Sequence, residues 1–125
     1  MQAENEAELY PLKLQPLPKE KVWGGSKIAA RFGQRIPAGR PIGEVWLIWD
    51  QLVVSNGAFQ GQTLAELVRS YPVSLLGTLA ATGPDPIFPL LIKILDANDK
   101  LSVQVHPDDR YAQKHEGEPF GKAEV

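Results

Sequence analysis

The sequence predicts a mainly β domain with short helices, and three stretches carry that prediction. Residues 101–107 read Leu-Ser-Val-Gln-Val-His-Pro. Side chains along a strand alternate sides, so Leu101, Val103 and Val105 share one face and Ser102, Gln104 and His106 the other. Residues 42–50 are rich in Val, Trp and Ile, with Val45, Leu47 and Trp49 on one side and Glu44, Trp46 and Ile48 on the other. Residues 90–96 are strand-like and run through a tight turn at 97–100 into the first stretch.

The remaining elements follow from local chemistry. Residues 1–9 are polar and acidic and read as a disordered tail. Residues 10–17 are extended, with Leu12, Leu14 and Leu17 interleaved with Pro11, Pro16 and Pro18 in the manner of an edge or leading strand. Val22-Trp23-Gly24-Gly25 reads as a turn with an aromatic anchor, and residues 28–32 as a short helix or turn. Residues 36–41 form a connection broken by Pro and Gly. Residues 52–55 continue the 42–50 strand after a bend, and Asn56-Gly57 marks a turn because both residues tolerate positive φ. Thr63 and Glu66 stand at capping-box spacing, where each side chain satisfies a free N–H at a helix start. They open a helix over 63–71 whose apolar stripe is Leu64, Leu67 and Val68. Pro72 stops it, and a further helical turn closes at Gly77, so that residues 63–79 form a helical insertion. Residues 80–86 are a loop. Asp108 is placed to cap a short helix over 109–115, residues 116–121 are a loop, and 122–125 begin another strand. Residues 10–125 make one domain.

Bulk properties exclude several classes. A chain of 125 residues allows one modest core. With 43% hydrophobic and 22% charged residues it is ordinary for a folded domain. A net charge of −2 offers no basic field for nucleic acid or an anionic membrane. There is no cysteine, so a metal would be held by His, Asp, Glu or Gln. The first residues have neither a basic nor an apolar leader pattern, and no apolar run is long enough to span a bilayer, which makes the cytoplasm the expected location.

The residues able to do chemistry gather late in the chain. If the 101–106 and 122–125 strands neighbour each other, Ser102, Gln104, His106, Lys122 and Glu124 meet on one polar face. Imidazole and carboxylate are good zinc ligands, and an amide oxygen is a weaker one that leaves the ion more Lewis-acidic. The alternative is a wet sheet face at Gln104 and His106 beside a solvated Lys122–Glu124 pair.

The flanking residues resemble one family. The run of residues 88–97, Phe-Pro-Leu-Leu-Ile-Lys-Ile-Leu-Asp-Ala, is followed by Leu-Ser-Val-Gln-Val-His-Pro-Asp-Asp at 101–109, Tyr-Ala at 111–112 and Gly-Lys-Ala-Glu at 121–124. Earlier come Val-Trp-Gly-Gly at 22–25, Ile-Gly-Glu-Val-Trp at 42–46, Gly-Gln-Thr-Leu at 61–64 and Leu-Leu-Gly at 75–77. Together they are similar to the N-terminal portion of type I mannose-6-phosphate isomerases (phosphomannose isomerases). That resemblance implies a cupin jelly-roll barrel, here partial and truncated, and zinc-dependent interconversion of mannose 6-phosphate and fructose 6-phosphate. It implies one Zn2+ per chain with Gln104, His106 and Glu124 as metal ligands, Ser102 and Lys122 lining the sugar-phosphate pocket, and Lys122 assisting proton transfer. Family members are more than twice as long. The second zinc histidine and the distal arginine of the family have no counterpart here, and residues 47–50 are more apolar than the usual continuation.

The resemblance implies a sugar-phosphate partner, the charge balance and short apolar runs argue against nucleic acid and membrane, and a second chain would complete the barrel if this chain is half of a split protein. The chain alone is expected to be inactive. The alternatives are a non-catalytic truncated cupin or sugar- or metal-binding module, or half of a split enzyme. His115 is expected to be a solvated histidine at a helix end. Asp108 and Asp109 are expected to cap a helix rather than bind metal. Trp23, Trp46 and Trp49 are expected to pack rather than stack on sugar, and Gly24-Gly25 to form a turn. Glu44 either supports the site from a second strand or faces solvent.

Overall fold

A computed structural model describes residues 9–32, 36, 39–79, 81 and 85–125. Its centre is an antiparallel sheet of three strands in the order β1-β2-β3. Strand β1 spans Leu17–Gly25, β2 Ile42–Ile48 and β3 Ile92–Leu95. Short helices decorate it: α1 at Lys27–Phe32, α2 at Leu64–Ser70, α3 at Pro72–Leu76 and α4 at Asp109–Tyr111, which runs into a π turn at Ala112–Glu116. The expected tail lies outside the described residues except for Leu9, as does most of the expected 80–86 loop.

The strand expected at 42–50 forms as β2, with Leu17 opposite Trp46 on one side and Trp46 opposite Lys93 on the other. Val45 is fully buried beside Ile28 of α1 and Ile42. The helices expected within 63–79 also form. The Thr63 hydroxyl accepts the Glu66 N–H at 3.2 Å, and the Glu66 carboxylate accepts the Thr63 N–H at 2.7 Å. Leu64, Leu67 and Val68 of α2 are buried, as are Leu52 and Val54. Backbone bonds from Leu64 N to Leu52 O and from Ala65 N to Asp50 O tie the helix start to the segment after β2.

Three expectations are corrected. Residues 22–25 are not a turn but the end of β1, where Gly25 pairs with Ile42. A Cβ on Gly24 would overlap the Gly43 nitrogen, so the glycine permits two backbones to close on each other. Motif composition suggests a turn here, but close interstrand approach demands the same residue. Second, residues 101–106 make no strand pairing among the described residues. Third, residues 122–125 are not in a strand either. The alternating face of the 101–106 segment is real but uncovered: Val103 and Val105 are almost completely exposed. Alternation specifies which residues should face a core, and burial needs a second surface that the described part of this chain does not supply.

Asp96, buried just after β3, accepts the backbone N–H of Lys27 at 2.8 Å. It thereby caps the first turn of α1 from a distant point in the sequence and holds that helix to the sheet.

Candidate metal and sugar-phosphate site

The polar residues picked out by the sequence form two groups in the structure. Ser102 and Gln104 make the first: the Gln104 amide Nε2 donates to Ser102 Oγ at 2.8 Å. Their contact two residues apart keeps both on one side of the segment, as alternation requires. With Nε2 engaged, Oε1 is the atom of Gln104 left to bind a metal. Ser102 accepts through its oxygen, so its own O–H is left to donate.

The second group crosses a long stretch of chain. His106 Nε2 lies 2.8 Å from Glu124 Oε2, and Lys122 Nζ lies 3.1 Å from Glu124 Oε1. One carboxylate therefore meets the imidazole and the ammonium with different oxygens. The hydrogen bond from Lys122 and then that from His106 hold the Glu124 carboxyl below its ordinary range. No hydrogen bond joins the two groups to each other among the described residues. The expected pairing of two strands does not produce the second group. A reversal of the chain through α4 and the π turn produces it, closed where Lys122 N donates to Pro107 O at 3.0 Å. Gly121 makes the closure possible, since a Cβ there would overlap Pro107 O.

These residues fit a zinc ion. Two ligand atoms on a tetrahedral zinc, each about 2.0–2.1 Å from the metal, stand about 3.3 Å apart. The His106 and Glu124 atoms need to separate by only about half an ångström from their present contact to reach that spacing. Nitrogen, carboxylate oxygen and amide oxygen are all suitable donors. Among the described residues no three His, Asp or Glu side chains converge.

His115 behaves as expected, exposed on the π turn with its ring 4.5 Å from that of Tyr111 and outside both groups. Asp108 caps α4 by accepting the Tyr111 N–H at 2.8 Å. Asp109 does not cap the helix: its Oδ1 accepts the Gly121 N–H at 2.8 Å. Trp46 and Trp49 pack edge to face at 4.8 Å, and Lys19 lies over the Trp46 ring.

A charged pair on β2 and β3 is only half legible in the sequence. Glu44 is buried and makes its contacts within the sheet rather than with the His106 group; it accepts from Trp46 Nε1 at 2.8 Å and from Lys93 Nζ at 3.2 Å. The available signal is a single charge of opposite sign inside each of two apolar strands that the pattern places side by side. Burial pushes the Glu44 carboxyl up, but the bonds from Trp46 and Lys93 and the charges of Lys93 and Lys21 outweigh it, so the net displacement is downward. A depressed carboxyl stabilises the fold above its unfolded pKa and ceases to do so as pH falls through its folded value. Glu44→Gln is therefore expected to destabilise the chain by about 1–3 kcal/mol at neutral pH and to flatten the acid limb of its stability curve. Urea unfolding from pH 7 down to pH 3 checks this; parallel curves for the two proteins would reject it.

The sequence profile of the phosphomannose isomerase type I catalytic domain matches residues 11–121. The chain belongs to that family. Mannose-6-phosphate isomerase ManA of Bacillus subtilis is 46% identical over 118 residues, which are 91% of this chain and 35% of that protein. The mannose-6-phosphate isomerase of Streptococcus mutans is 45% identical over 118 residues, with the same coverage of each. The chain thus spans about a third of the length of the curated relatives it matches. A crystal structure of the mannose 6-phosphate isomerase from Bacillus subtilis superposes with a TM-score of 0.75 at 39% identity, covering 89% of this chain and 35% of that one. The Salmonella typhimurium enzyme bound to substrate and a zinc atom shares the fold, with a TM-score of 0.64 at 24% identity over 85% of this chain and 29% of its own. The architecture is accordingly a part of the cupin fold of the phosphomannose isomerases.

Proposed function

We propose that this chain supplies part of the active centre of a zinc-dependent aldose–ketose isomerase that interconverts mannose 6-phosphate and fructose 6-phosphate in the cytoplasm. The single observation supporting this most strongly is the meeting of His106 and Glu124, which lie 18 residues apart, with Lys122 on the second carboxylate oxygen. Gln104, His106 and Glu124 hold the metal, and Ser102 and Lys122 line the sugar-phosphate pocket. When bound, zinc polarises neighbouring substrate oxygens and stabilises the negative charge that develops as a proton moves between adjacent carbons.

The chain's own residues orient and neutralise. Ser102 donates its hydroxyl hydrogen to a substrate oxygen. Lys122 is a half-exposed cation anchored by Glu124; it attracts the anionic substrate and carries a proton at Nζ. Glu124, kept ionised by Lys122, is ready as a ligand at neutral pH.

Full activity in this reading requires further polypeptide that supplies what the other two-thirds of a relative's length provides. The exposed Val103 and Val105 lie opposite Ser102, Gln104 and His106, so polypeptide covering that apolar face is brought to the back of the ligand-bearing segment. The test is to co-express this chain with the part of Bacillus subtilis ManA outside the matched segment, then assay with mannose 6-phosphate and zinc. Expected results are background turnover for the chain alone, turnover for the complex, and loss of the complex with Val103→Asp/Val105→Asp. A complex that forms and holds zinc but turns over neither sugar phosphate would sink the proposed activity.

A further inference from the structure

We infer that Asp109 is a positioning residue for the metal site: its carboxylate holds the Gly121 backbone so that Glu124 arrives at His106. This rests on the zinc reading above and adds to it a residue that touches neither metal nor substrate. Asp109 sits at the start of α4, where an acidic side chain ordinarily serves the helix itself. Here that work belongs to its neighbour, since Asp108 Oδ1 takes the Tyr111 N–H. Asp109 Oδ1 instead reaches across the reversal to the Gly121 N–H at 2.8 Å, 12 residues on.

Gly121 is where the returning chain touches the outgoing one. Its Cα approaches so closely that a Cβ would strike Pro107 O and Asp108. The next residue donates its N–H to Pro107 O at 3.0 Å. Asp109 and Pro107 O thus grip two consecutive N–H groups, of Gly121 and Lys122. Two such anchors fix both the position and the direction of the segment that follows. Glu124, two residues beyond Lys122, reaches His106 Nε2 at 2.8 Å. Lys122 also places its ammonium on the same carboxylate. Without the Asp109 bond, Lys122 N to Pro107 O is the backbone bond that still holds residues 121–125 to the outgoing chain, and they can swing about it. Ligand placement is set by just such outer partners, whose loss weakens metal binding about 10–100-fold.

The experiment compares the reference chain with Asp109→Ala, Asp109→Asn and Asp108→Ala. Two readouts are taken: Zn2+ affinity by competition with a chromophoric chelator, and the NMR contact between the His106 ring and the Glu124 side chain in metal-free protein. Asp109→Ala should weaken Zn2+ binding about 10–100-fold and lose the His106–Glu124 contact. Asp109→Asn keeps an oxygen acceptor and should rescue both. Asp108→Ala removes only the helix cap and should leave both near the reference. Asp109→Ala that retains the contact and the affinity overturns the inference. So does equal damage from Asp108→Ala, which would mean that folding of α4 alone matters, and so does failure of Asp109→Asn to rescue. A reference chain that takes up no zinc, yet shows the contact pattern as expected, leaves Asp109 as the positioning residue and overturns the zinc reading instead.

Discussion

Replacing His106 by alanine is expected to lower the zinc affinity of the chain by more than about 100-fold, beyond the range that outer partners of a metal site command. In the proposed site the imidazole is one of two strong ligands, and Gln104 contributes only a neutral amide oxygen. Glu124 would keep Lys122 as a partner, so its carboxylate would be pulled toward the ammonium and away from the metal position. Glu124→Gln should also lose affinity, because it replaces the anionic ligand by a neutral amide and removes the charge attraction to Lys122 that helps order it. Gln104→Ala should cost less than either. The reference itself is expected to bind weakly, since three protein ligands on an open surface leave the ion hydrated. The ratios between variants therefore carry the test, measured by chelator competition and by zinc content after dialysis. Equal zinc content in the reference, His106→Ala and Glu124→Gln would refute the ligand assignment.

The second large effect concerns stability. Leu67 is completely buried on α2. Truncation to alanine removes three buried carbons and leaves a cavity, which costs about 2–5 kcal/mol. Small domains possess only about 5–15 kcal/mol in total, so Leu67→Ala should bring this chain close to unfolding at room temperature. In urea, with a slope of about 1–3 kcal/mol per molar, the midpoint should fall by about 1 M or more. Val73→Ala on the neighbouring α3 is the control: its side chain is 43% exposed, and the midpoint should barely move. A Leu67→Ala midpoint within error of the reference would contradict the assignment of α2 to the core.

What the amino-acid order makes legible divides along a physical line. Elements specified by adjacent residues can be read from it: the Thr63–Glu66 capping box, the Pro72 break, the Asn56-Gly57 turn and the β2 alternation all arise within a few residues of each other. So can the proposed membership of the site, because resemblance attaches roles to residue types in a fixed order. Geometry arising from distant approach cannot. Gly24 reads as a turn because the same residue serves turns and closely packed backbones. Asp109 reads as a cap because its partner lies across a reversal. The 101–106 segment reads as a paired strand because its alternation is real, whereas pairing depends on a neighbour that one stretch of sequence cannot announce. Asp96 carries no local signal, since its partner Lys27 comes from another element, and Lys93 shows only as a lone charge in an apolar strand whose partner Glu44 lies on β2.

The reversal between Pro107 and Lys122 has a thermodynamic consequence for metal capture. In a free chain, bringing two side chains 18 residues apart into contact costs about 2–3 kcal/mol of closure entropy. Here the backbone bonds at Pro107 and Gly121 have already closed the loop. In the proposed site His106 and Glu124 would act on an ion as the two teeth of a single chelator, and the second coordination bond would be nearly free of the entropic cost that two independent ligands impose.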